Sequence, residues 1–547
     1  MSCEYATRRT QSAGLSRRGF LGGIGAGAAG AAGAVMLPAG AHARGLQEDS
    51  SPTRPDRFSR IFDRLPPFAE ATPSVQQALR ELGAPGGLLD AGDPLHEGPI
   101  RLITNPELSP NNRDNAAHTA GVTFFGQFLD HDMTFDATSR LGVPTPPEGS
   151  PNARTPSFDL DSVYGGGPQA SRQLYDPRDL AKLKVEYGGL FEDLPRTPDG
   201  TAIIADPRND ENLMIAGLQA AMLKFHNNVV DRLRADDRSR SAALEVAAAE
   251  GSPAENFEFD FRNNVFEQAR RLVTWHYQWI IVNEFLPSIV GSSLVRNILE
   301  RGTRFYTPRF GEASIPVEFQ GACFRFGHTL VRPSYRANLA GNNGAPFFGF
   351  VFDPAGEDQA DPVDLRGGAR ASRRFIGWQT FFDFGGDQTQ HVRPNKTVDT
   401  KISTPLFNLP LGAIASGDPP TALPQRNLLR HLTWGIPSGQ NIARAMGITP
   451  LSSTQLSELR PFGHNLDRST PLWYYILKEA EVAGGARLAG VGARIVAEVF
   501  LGLLMTDPNS YFHQRGWRPS LPSRTRGTFR MVDLLTLAGV DPASRGQ

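Results

Sequence analysis

The sequence predicts a mainly α-helical fold built as a single large domain. Apolar residues recur at alternating spacings of three and four over long stretches, which is the period of a helix with one buried face. Alternating strand patterns are few and short, and no shift in composition divides the chain after residue 60, although 547 residues could hold several domains. The helical stretches are Leu218–Leu233, Leu272–Leu286 and Leu488–Val499.

Connections rich in proline and glycine are expected to separate these helices. They fall at Val143–Pro156, Ala340–Pro346 and Gly385–Lys396, where helix-breaking residues cluster. The charged stretch Arg234–Glu255 interrupts the helical pattern. We expect it to be a mobile insertion.

The N-terminus has the pattern of an export signal. A twin-arginine motif, Arg17-Arg18, precedes the small-residue apolar run Gly22–Leu37, and Ala41-His42-Ala43 supplies a cleavage site. The apolar run is short and weak for a membrane anchor. We therefore expect a twin-arginine signal peptide over residues 1–43, a polar linker over 44–60, and a secreted or periplasmic protein without a transmembrane anchor.

Net charge and cysteine content indicate which partners and which covalent links to expect. The formal net charge is -1, so nothing in the electrostatics favours nucleic acid or an anionic membrane as a partner. Of the two cysteines, Cys3 lies in the expected signal peptide. Cys323 would then remain as a single thiol, expected to be a small buried hydrophobe without an intrachain disulfide.

Three adjacent ionisable residues, Asp130, His131 and Asp132, follow the apolar run Val122–Phe125. On a helix, three neighbours point about 100° apart, so each must meet a different environment. Burying all three is costly unless each has a partner. Taken alone, a solvated helix end is the simpler interpretation.

The stretch Thr155–Ser162 offers oxygen atoms at every second residue. That spacing suits a hard cation such as calcium, although the glycine and closing glutamate of an EF-hand are absent. An Asx-rich turn is the simpler interpretation by itself, and a further carboxylate such as Asp132 would be needed to complete a shell. The candidate ligands in the stretch are Thr155, Ser157, Asp159 and Asp161.

Arg208 occupies an unusual position for an arginine. Asp206 followed by Pro207 predicts a helix start, so the cation at 208 stands against the helix dipole. We expect such an arginine to face an anion or a developing negative charge.

His328 follows Gly327, whose missing side chain lets a flat group approach the imidazole. Downstream, Asn427 in the segment Arg426–Arg430 could supply an amide acceptor that orients the ring. A buried histidine with a purely structural role is the simpler interpretation of His328 alone.

Taken together, these segments resemble the animal-type haem peroxidases of the peroxidase–cyclooxygenase superfamily. The motifs GQFLDHD, SFDLDSVYG, DPRNDEN, FRFGHTL and RNLLR occur in the family's order between Gly126 and Arg430. Each motif is weak alone, whereas five in order are specific. The resemblance, with the export signal, implies a bacterial secreted member with a haem domain over residues 61–547, folded around a buried haem b.

The resemblance implies a peroxidase that reduces hydrogen peroxide via a ferryl intermediate and oxidises small donors (phenols, halides or thiocyanate). His131 would be the distal base, with a pKa near about 6–7 that lets it accept and return a proton. Arg208 would stabilise charge on the leaving oxygen. Gln127 matches the glutamine that orders water or a halide.

The cofactor ligands are implied in the same way. His328 would bind the haem iron, with Asn427 on its second ring nitrogen. Asp130 and Glu211 match the carboxylates that form ester links to haem in the family. The candidates to pair with the propionates are Arg325 and Arg430. One calcium ion would be bound by Asp132, Thr155, Ser157 through its carbonyl, Asp159 and Asp161.

Two positions bear on alternatives within the superfamily. Asn212 stands where one relative has the methionine of a sulfonium link to haem, so no such link and weak chloride oxidation are expected. Arg325 stands where fatty-acid dioxygenases have a radical-forming tyrosine, which favours the peroxidase. From other classes, the alternatives are a non-catalytic haem-fold adhesion protein and a metal hydrolase built on the Asp130–Asp132 triplet.

The remaining conspicuous residues are expected to be structural. His226, His276, Trp275, Trp279 and Trp473 lie in apolar or helical surroundings without ligand spacing. The reducing substrate is expected to be set by the loops between residues 340 and 412.

Overall fold

The computed structural model describes residues 56–249, 265–368, 371–414 and 416–547. Helices dominate these residues, and strands form only four two-stranded antiparallel pairs among them. The prediction of a mainly α fold is therefore confirmed. The expected signal peptide and most of the expected linker lie outside the described residues.

The helices follow the apolar periodicity of the sequence. All three predicted stretches are largely helical, although Leu488 precedes its helix and the second stretch includes a π-helical turn. The α-helices are α1 (Pro73–Leu82), α2 (Gly98–Thr104), α3 (Gly121–Met133), α4 (Asp161–Tyr164), α5 (Gly167–Ala170), α6 (Leu213–Ala249), α7 (Val265–Ile280), α8 (Leu286–Val290), α9 (Ser292–Arg301), α10 (Val317–Gln320), α11 (Leu423–Thr433), α12 (Gly439–Met446), α13 (Leu472–Val482), α14 (Gly490–Thr506) and α15 (Met531–Leu537).

The strands pair locally, with one exception. The pairs β2–β3, β4–β5 and β6–β7 join neighbours in sequence, whereas β1 pairs with the distant β8. The strands are β1 (Asp114–Thr119), β2 (Tyr175–Asp176), β3 (Asp179–Leu183), β4 (Glu186–Tyr187), β5 (Glu192–Asp193), β6 (Ser334–Asn342), β7 (Ala345–Phe350) and β8 (Pro394–Lys396).

Two segments differ from what the sequence predicted, one an expected connection and the other an expected insertion. Ala340–Pro346 is the tip of the β6–β7 hairpin, where Asn343 and Gly344 both adopt positive φ. Two such residues in succession are typical of a tight hairpin turn. The part of Arg234–Glu255 up to Ala249 continues helix α6, and the rest lies outside the described residues.

A single hydrophobic cluster extends from Phe58 to Val540. Phe58 is buried, and its ring lies 5.1 Å from that of Trp434. The backbone of Ser59 bonds to Ile315. The packed domain therefore begins before the boundary expected at residue 60. None of the described helices is both long and apolar enough to span a membrane.

Helix α7 passes into a π-helical turn, Ile281–Phe285, before α8 begins. Pro287, in the first turn of α8, has no N–H to donate to the preceding turn, which favours the wider geometry. A Cβ at Gly126 on α3 would lie 3.3 Å from the Phe285 ring. The glycine therefore lets α3 and this turn approach closely, and together they form one side of a cavity.

Candidate active site

A cavity of about 260 Å³ is lined by His131, Arg208 and His328, which the sequence analysis singled out. Helix α3, the 3-10 turn Pro207–Asp210, the 3-10 segment Cys323–Leu330 and helix α11 each contribute side chains to its wall. The apolar part of that wall includes Phe285, Phe324, Phe326, Leu406, Leu409 and Ile414.

The three ionisable residues at the end of α3 are divided between the cavity and a buried site behind the helix. Asp130 lines the cavity and is partly accessible from it, with 32% of its side chain exposed. His131 also lines the cavity and is buried. Asp132 is completely buried on another side of the helix, where it accepts hydrogen bonds from Ser162 and Tyr277. The expectation of separate surroundings is met by Asp132, whereas Asp130 and His131 share the cavity.

His131 is held by an amide network that the sequence did not reveal. Its Nδ1 lies 2.9 Å from Oδ1 of Asn209, whose Nδ2 donates to Gln219 over 2.9 Å. Because Asn209 turns its oxygen toward the ring, Nδ1 must carry the proton. The Nε2 lone pair is therefore free, 3.8 Å from a carboxylate oxygen of Glu211. Asn209 follows Arg208 directly in the sequence, and that adjacency was the only available signal.

Burial and the neighbouring Arg208 cation lower the pKa of His131 to about 3. The expectation of a pKa near about 6–7 is wrong, because the cavity wall removes the imidazole from water. The ring is neutral at neutral pH and can accept a proton. The imidazolium formed would be strongly acidic, so it would return that proton readily.

Arg208 faces an anion, as expected for a cation in this helix turn, and that anion is the neighbouring Asp206. Asp206 caps the turn and accepts from Arg208 Nε over 3.0 Å and from its Nη2 over 2.8 Å. The same Nη2 donates to the carbonyl of Thr134 over 2.6 Å. Nη1 makes no hydrogen bond to the described residues and lies 3.9 Å from Asp130 Oδ2. One nitrogen of the guanidinium is therefore available at the cavity.

Gln127 and Glu211 are joined beside the imidazole. Gln127 Nε2 donates to Glu211 over 2.7 Å, and Asn212 donates to Gln127 Oε1 over 3.2 Å. Burial raises the pKa of Glu211 to about 8, so this carboxyl is largely protonated at neutral pH. Burial also raises the pKa of Asp130, against the opposing effect of Arg208.

His328 contacts Asn427 as expected, but in the opposite sense. Asn427 Nδ2 lies 2.8 Å from His328 Nδ1, while its Oδ1 accepts from Arg325 Nη1 over 3.2 Å. Because a guanidinium can only donate, Arg325 takes the amide oxygen and leaves the nitrogen facing the ring. In this arrangement Nδ1 accepts and Nε2 carries the proton.

The arginines at this end of the cavity differ in their pairing. Arg430 forms an ion pair with Asp136 at 2.7 Å. Arg325 and Arg426 have no carboxylate within ion-pair distance among the described residues. Arg426 was not identified from the sequence, although it lies within the RNLLR motif. Both are only partly buried, and Arg426 donates to the carbonyls of Asp418 and Pro420. A partly buried guanidinium without a carboxylate partner favours an anionic ligand.

Polar atoms without hydrogen-bond partners and open space in the cavity also favour a bound ligand. Arg430 Nε and Gln320 Oε1 are buried without a hydrogen-bond partner among the described residues. A Cβ built on Gly327 would meet nothing within 4 Å. A partly apolar cavity with an imidazole, open space over a glycine and two arginines that lack a carboxylate partner among the described residues fits a flat cofactor that carries carboxylates.

A second feature lies behind α3, where oxygens of Asp132, Asp159 and Asp161 come within 4.8 Å of one another. Burial raises the pKa of all three carboxyls, and that of Asp132 reaches about 7. Asp161 Oδ1 is buried without a hydrogen-bond partner among the described residues. We refer to these three residues as the carboxylate cluster.

The other expected ligands lie in the same loop, with their hydroxyls engaged elsewhere. Thr155 Oγ1 donates to Asp161 over 3.2 Å, and Ser157 Oγ donates to Asp507 over 2.6 Å. Leu160 adopts a left-handed conformation at φ 60° between the two aspartates of the loop. That geometry costs about 1–2 kcal/mol for a non-glycine residue. Its N–H donates to Asp132 over 3.2 Å, which helps to hold it.

The residues expected to be structural have structural partners. His226 bonds to Tyr164 and to the carbonyl of Ala181. His276 accepts from the backbone of Ser520 over 3.1 Å. Trp473 donates to the carbonyl of Arg325 over 3.1 Å and so supports the cavity wall. Cys323 is buried and free.

Comparison with known proteins shows which family this chain is similar to. Residues 139–348 match the sequence model of the family described as "Animal haem peroxidase". The chorion peroxidase of Drosophila melanogaster is 26% identical over 66% of this chain and 42% of its own length. The probable oxidoreductase PXDNL of Homo sapiens is 28% identical over 40% of this chain, but over only 15% of its own length. The chain therefore spans less than half the length of these relatives.

Two solved structures share the fold. Peroxidase A from Dictyostelium discoideum is similar over 88% of this chain and 90% of its own, with a TM-score of 0.54 at 17% identity. A fatty acid alpha-dioxygenase from Arabidopsis thaliana is similar over 87% of this chain and 74% of its own, with a TM-score of 0.50 at 14% identity.

The segment 139–348 is similar to the animal haem peroxidase family, and the similarity to chorion peroxidase extends over 66% of the chain. The matched segment contains three of the five motifs, SFDLDSVYG, DPRNDEN and FRFGHTL, so the resemblance is confirmed for this part of the chain. The fold alone does not separate peroxidases from dioxygenases, because both structures share it.

The amide network gives a testable state of His131. We expect the ring to stay neutral from pH 8 down to about 4, because its pKa is about 3. Replacing Asn209 by Asp should raise that pKa, since an anion would then accept from Nδ1. Histidine-selective 15N NMR of the haem-free protein reports both tautomer and protonation. Asn227→Leu, which removes an amide bonded only to Leu183, is the matched control. Titration of wild-type His131 near pH 6.5 would contradict this assignment.

Proposed function

We propose that this protein is a haem-dependent peroxidase that reduces hydrogen peroxide and oxidises small donors. One observation carries the proposal. A neutral His131, with its proton fixed on Nδ1 by Asn209, presents the Nε2 lone pair to the cavity that His328 also lines. A general base aimed into a cofactor cavity is what peroxide activation requires.

When bound, haem would supply an iron that takes up peroxide and stores its oxidising equivalents. His131 would accept the proton from one peroxide oxygen at Nε2 and return it to the other. The low pKa of its imidazolium favours the return. Arg208 would donate from Nη1 to the oxygen that gains negative charge, held in place by Asp206 and the Thr134 carbonyl.

His328 would hold the iron through Nε2, which requires the proton to move to Nδ1. The Asn427 amide would then have to turn its oxygen to the ring, which becomes possible once Arg325 no longer occupies that oxygen. A carboxylate of haem is such a partner for Arg325, since Nε of this side chain stays anchored on the Gln320 carbonyl. Arg426 would meet the second carboxylate.

The donor would be a small molecule such as a phenol, a halide or thiocyanate. The polar side of the cavity presents Gln127, Arg208 and protonated Glu211, which suits water, an anion or a phenolic hydroxyl. Asn212 carries no sulfur, so a sulfonium link to haem cannot form. We expect weak chloride oxidation for that reason. Residues Val351, Phe352, Leu406 and Leu409 bring part of the stretch 340–412 to the cavity, as a role in substrate choice requires.

We also propose one calcium ion in the carboxylate cluster. Three carboxylates close together, of which those of Asp132 and Asp161 are buried, repel one another, and the oxygen of Asp161 that lacks a partner among the described residues offers a lone pair. Carbonyls of the loop, including that of Ser157, would complete the shell. Export through the twin-arginine pathway remains a proposal, since residues 1–43 lie outside the described structure.

The absorption spectrum before and after one equivalent of hydrogen peroxide tests the function. We expect a Soret band that shifts within the mixing time. Replacing His131 by Ala should slow the shift by about 10²–10⁴-fold with haem still bound, because the base is lost. His96→Ala, at an exposed histidine that does not line the cavity, is the control. A Soret band that never shifts would indicate a dioxygenase or a non-catalytic relative. The absence of a Soret band after haem reconstitution would refute the proposal that this protein binds haem.

Acid–acetone extraction tests the ester links. Asp130 and Glu211 both line the cavity, so either carboxylate could reach a haem substituent. If links form, haem should stay with the protein after extraction, and Asp130→Asn with Glu211→Gln should release it. Clean extraction from the wild type would mean that the carboxylates are unlinked.

Calcium removal tests the carboxylate cluster. Chelation should lower the melting temperature, and calcium at about 100 times its Kd should restore about 2.7 kcal/mol of stability. Asp132→Asn should abolish the calcium response, because it removes a ligand charge. Asp533→Asn, at a buried carboxylate bonded to backbone N–H groups, is the matched control. A calcium-independent melt with no bound metal would refute the site.

A further inference from the structure

Arg154 is a buried arginine that links the carboxylate cluster to the cavity. It precedes Thr155 in the cluster loop and is only 6% exposed. Its Nε donates to Asp206 over 2.7 Å, and its Nη2 donates to the carbonyl of Ala205 over 3.0 Å. Its Nη1 lies 3.6 Å from Asp161 Oδ1, the atom of the cluster that lacks a hydrogen bond among the described residues.

Asp206 is shared by two guanidinium groups. Its Oδ2 accepts from Arg154 Nε over 2.7 Å and from Arg208 Nη2 over 2.8 Å. The carboxylate is completely buried. Both guanidinium groups also face the ring of Phe135, at 6.0 Å for Arg154 and 4.5 Å for Arg208. Neither arginine can move far without disturbing the carboxylate that holds the other.

These contacts form one continuous path. It begins at Asp161 in the cluster, passes through Arg154 and Asp206, and ends at Arg208 Nη1 in the cavity. It is separate from the connection through α3, where Asp132 neighbours His131 along the chain. The path through Arg154 and Asp206 ends at Arg208, whereas the connection through α3 ends at His131.

We infer that Arg154 and Asp206 are positioning residues that couple occupation of the carboxylate cluster by a divalent cation to the placement of Arg208. The inference rests on the proposed function for the role of Arg208 and on the proposed calcium site for the cation. It assigns roles to two residues that do not themselves bind haem or calcium.

The direction of the coupling follows from charge. Without a metal, Arg154 is the nearest cation to Asp161 and partly compensates the cluster. A divalent cation that takes up Asp161 Oδ1 competes with Arg154 for that oxygen and repels its guanidinium. Arg154 must then rely on Asp206, the same carboxylate that holds Arg208. Thermodynamic coupling between two sites is reciprocal. If cation binding changes the placement of Arg208, then a variant that changes Arg208 must also change the affinity for the cation.

A double-mutant cycle on calcium affinity measures this coupling without any activity assay. Calcium binding is titrated calorimetrically on the full haem-bearing protein and its Arg154→Gln, Arg208→Gln and double variants. Arg154→Gln should tighten calcium binding about fivefold or more, because a competing cation is removed. Arg208→Gln should change the affinity by about threefold or more when Arg154 is present. In the Arg154→Gln background the change should be less than about twofold.

Arg154→Lys separates geometry from charge. Lysine keeps the charge but has a single nitrogen, which cannot bridge Asp206, Ala205 and Asp161 together. Calcium affinity should stay close to that of the wild type, while the effect of Arg208→Gln should be lost. Retention of that effect in the lysine variant would overturn a positioning role. Equal effects of Arg208→Gln with and without Arg154 would overturn the coupling itself.

Controls keep the result interpretable. Arg332→Gln removes another buried arginine, one that pairs with Asp114 away from the cluster, and should leave calcium affinity unchanged. Circular dichroism confirms folding of each variant. Failure of the peroxidase proposal would appear as a Soret band that does not respond to peroxide, whereas failure of the coupling would appear only in the calcium titrations. A wild-type protein that binds no calcium would overturn the inference together with the metal site.

Discussion

The buried carboxylate of Asp206 is the interaction on which the organisation of the site depends. Although burial raises its pKa, Arg208 and Arg154 hold that pKa well below its usual range, so it remains charged. It caps the turn that carries Arg208 and Asn209, and it fixes the guanidinium that faces the cavity. Without this one anion, two buried cations would lack their strongest partner, which is strongly unfavourable in a low-dielectric interior.

Helix α3 distributes its ionisable residues around that centre. Because neighbours on a helix diverge by about 100°, Asp130 and His131 can reach the cavity while Asp132 is directed into the cluster. Close packing makes this arrangement rigid, since Gly126 brings the helix against Phe285 and the surrounding phenylalanines fill the space behind it. The same helix therefore contributes to both polar sites.

Several charged side chains at the cavity and in the carboxylate cluster are placed where a bound ligand of opposite charge would stabilise them. Arg325 and Arg426 lack carboxylate partners among the described residues, and the cluster gathers three carboxylates with an unpartnered oxygen. Each feature is destabilising alone and would be relieved by a ligand of opposite charge. Such features are expected at functional sites, where local structure is arranged for a ligand rather than for stability.

The sequence by itself determined the helices and the chemical types at the site. Helical period is a local property, so Leu218–Leu233 and the other apolar stretches were predictable, and the motif order predicted the similarity to animal haem peroxidases. Only the tertiary structure decided the partners and protonation of those residues. The low pKa of His131, the pairing of Arg208 with Asp206 and the reversed amide of Asn427 all depend on burial and on groups brought from other elements. Desolvation and pairing across the fold are set by packing, which no local pattern in the chain records.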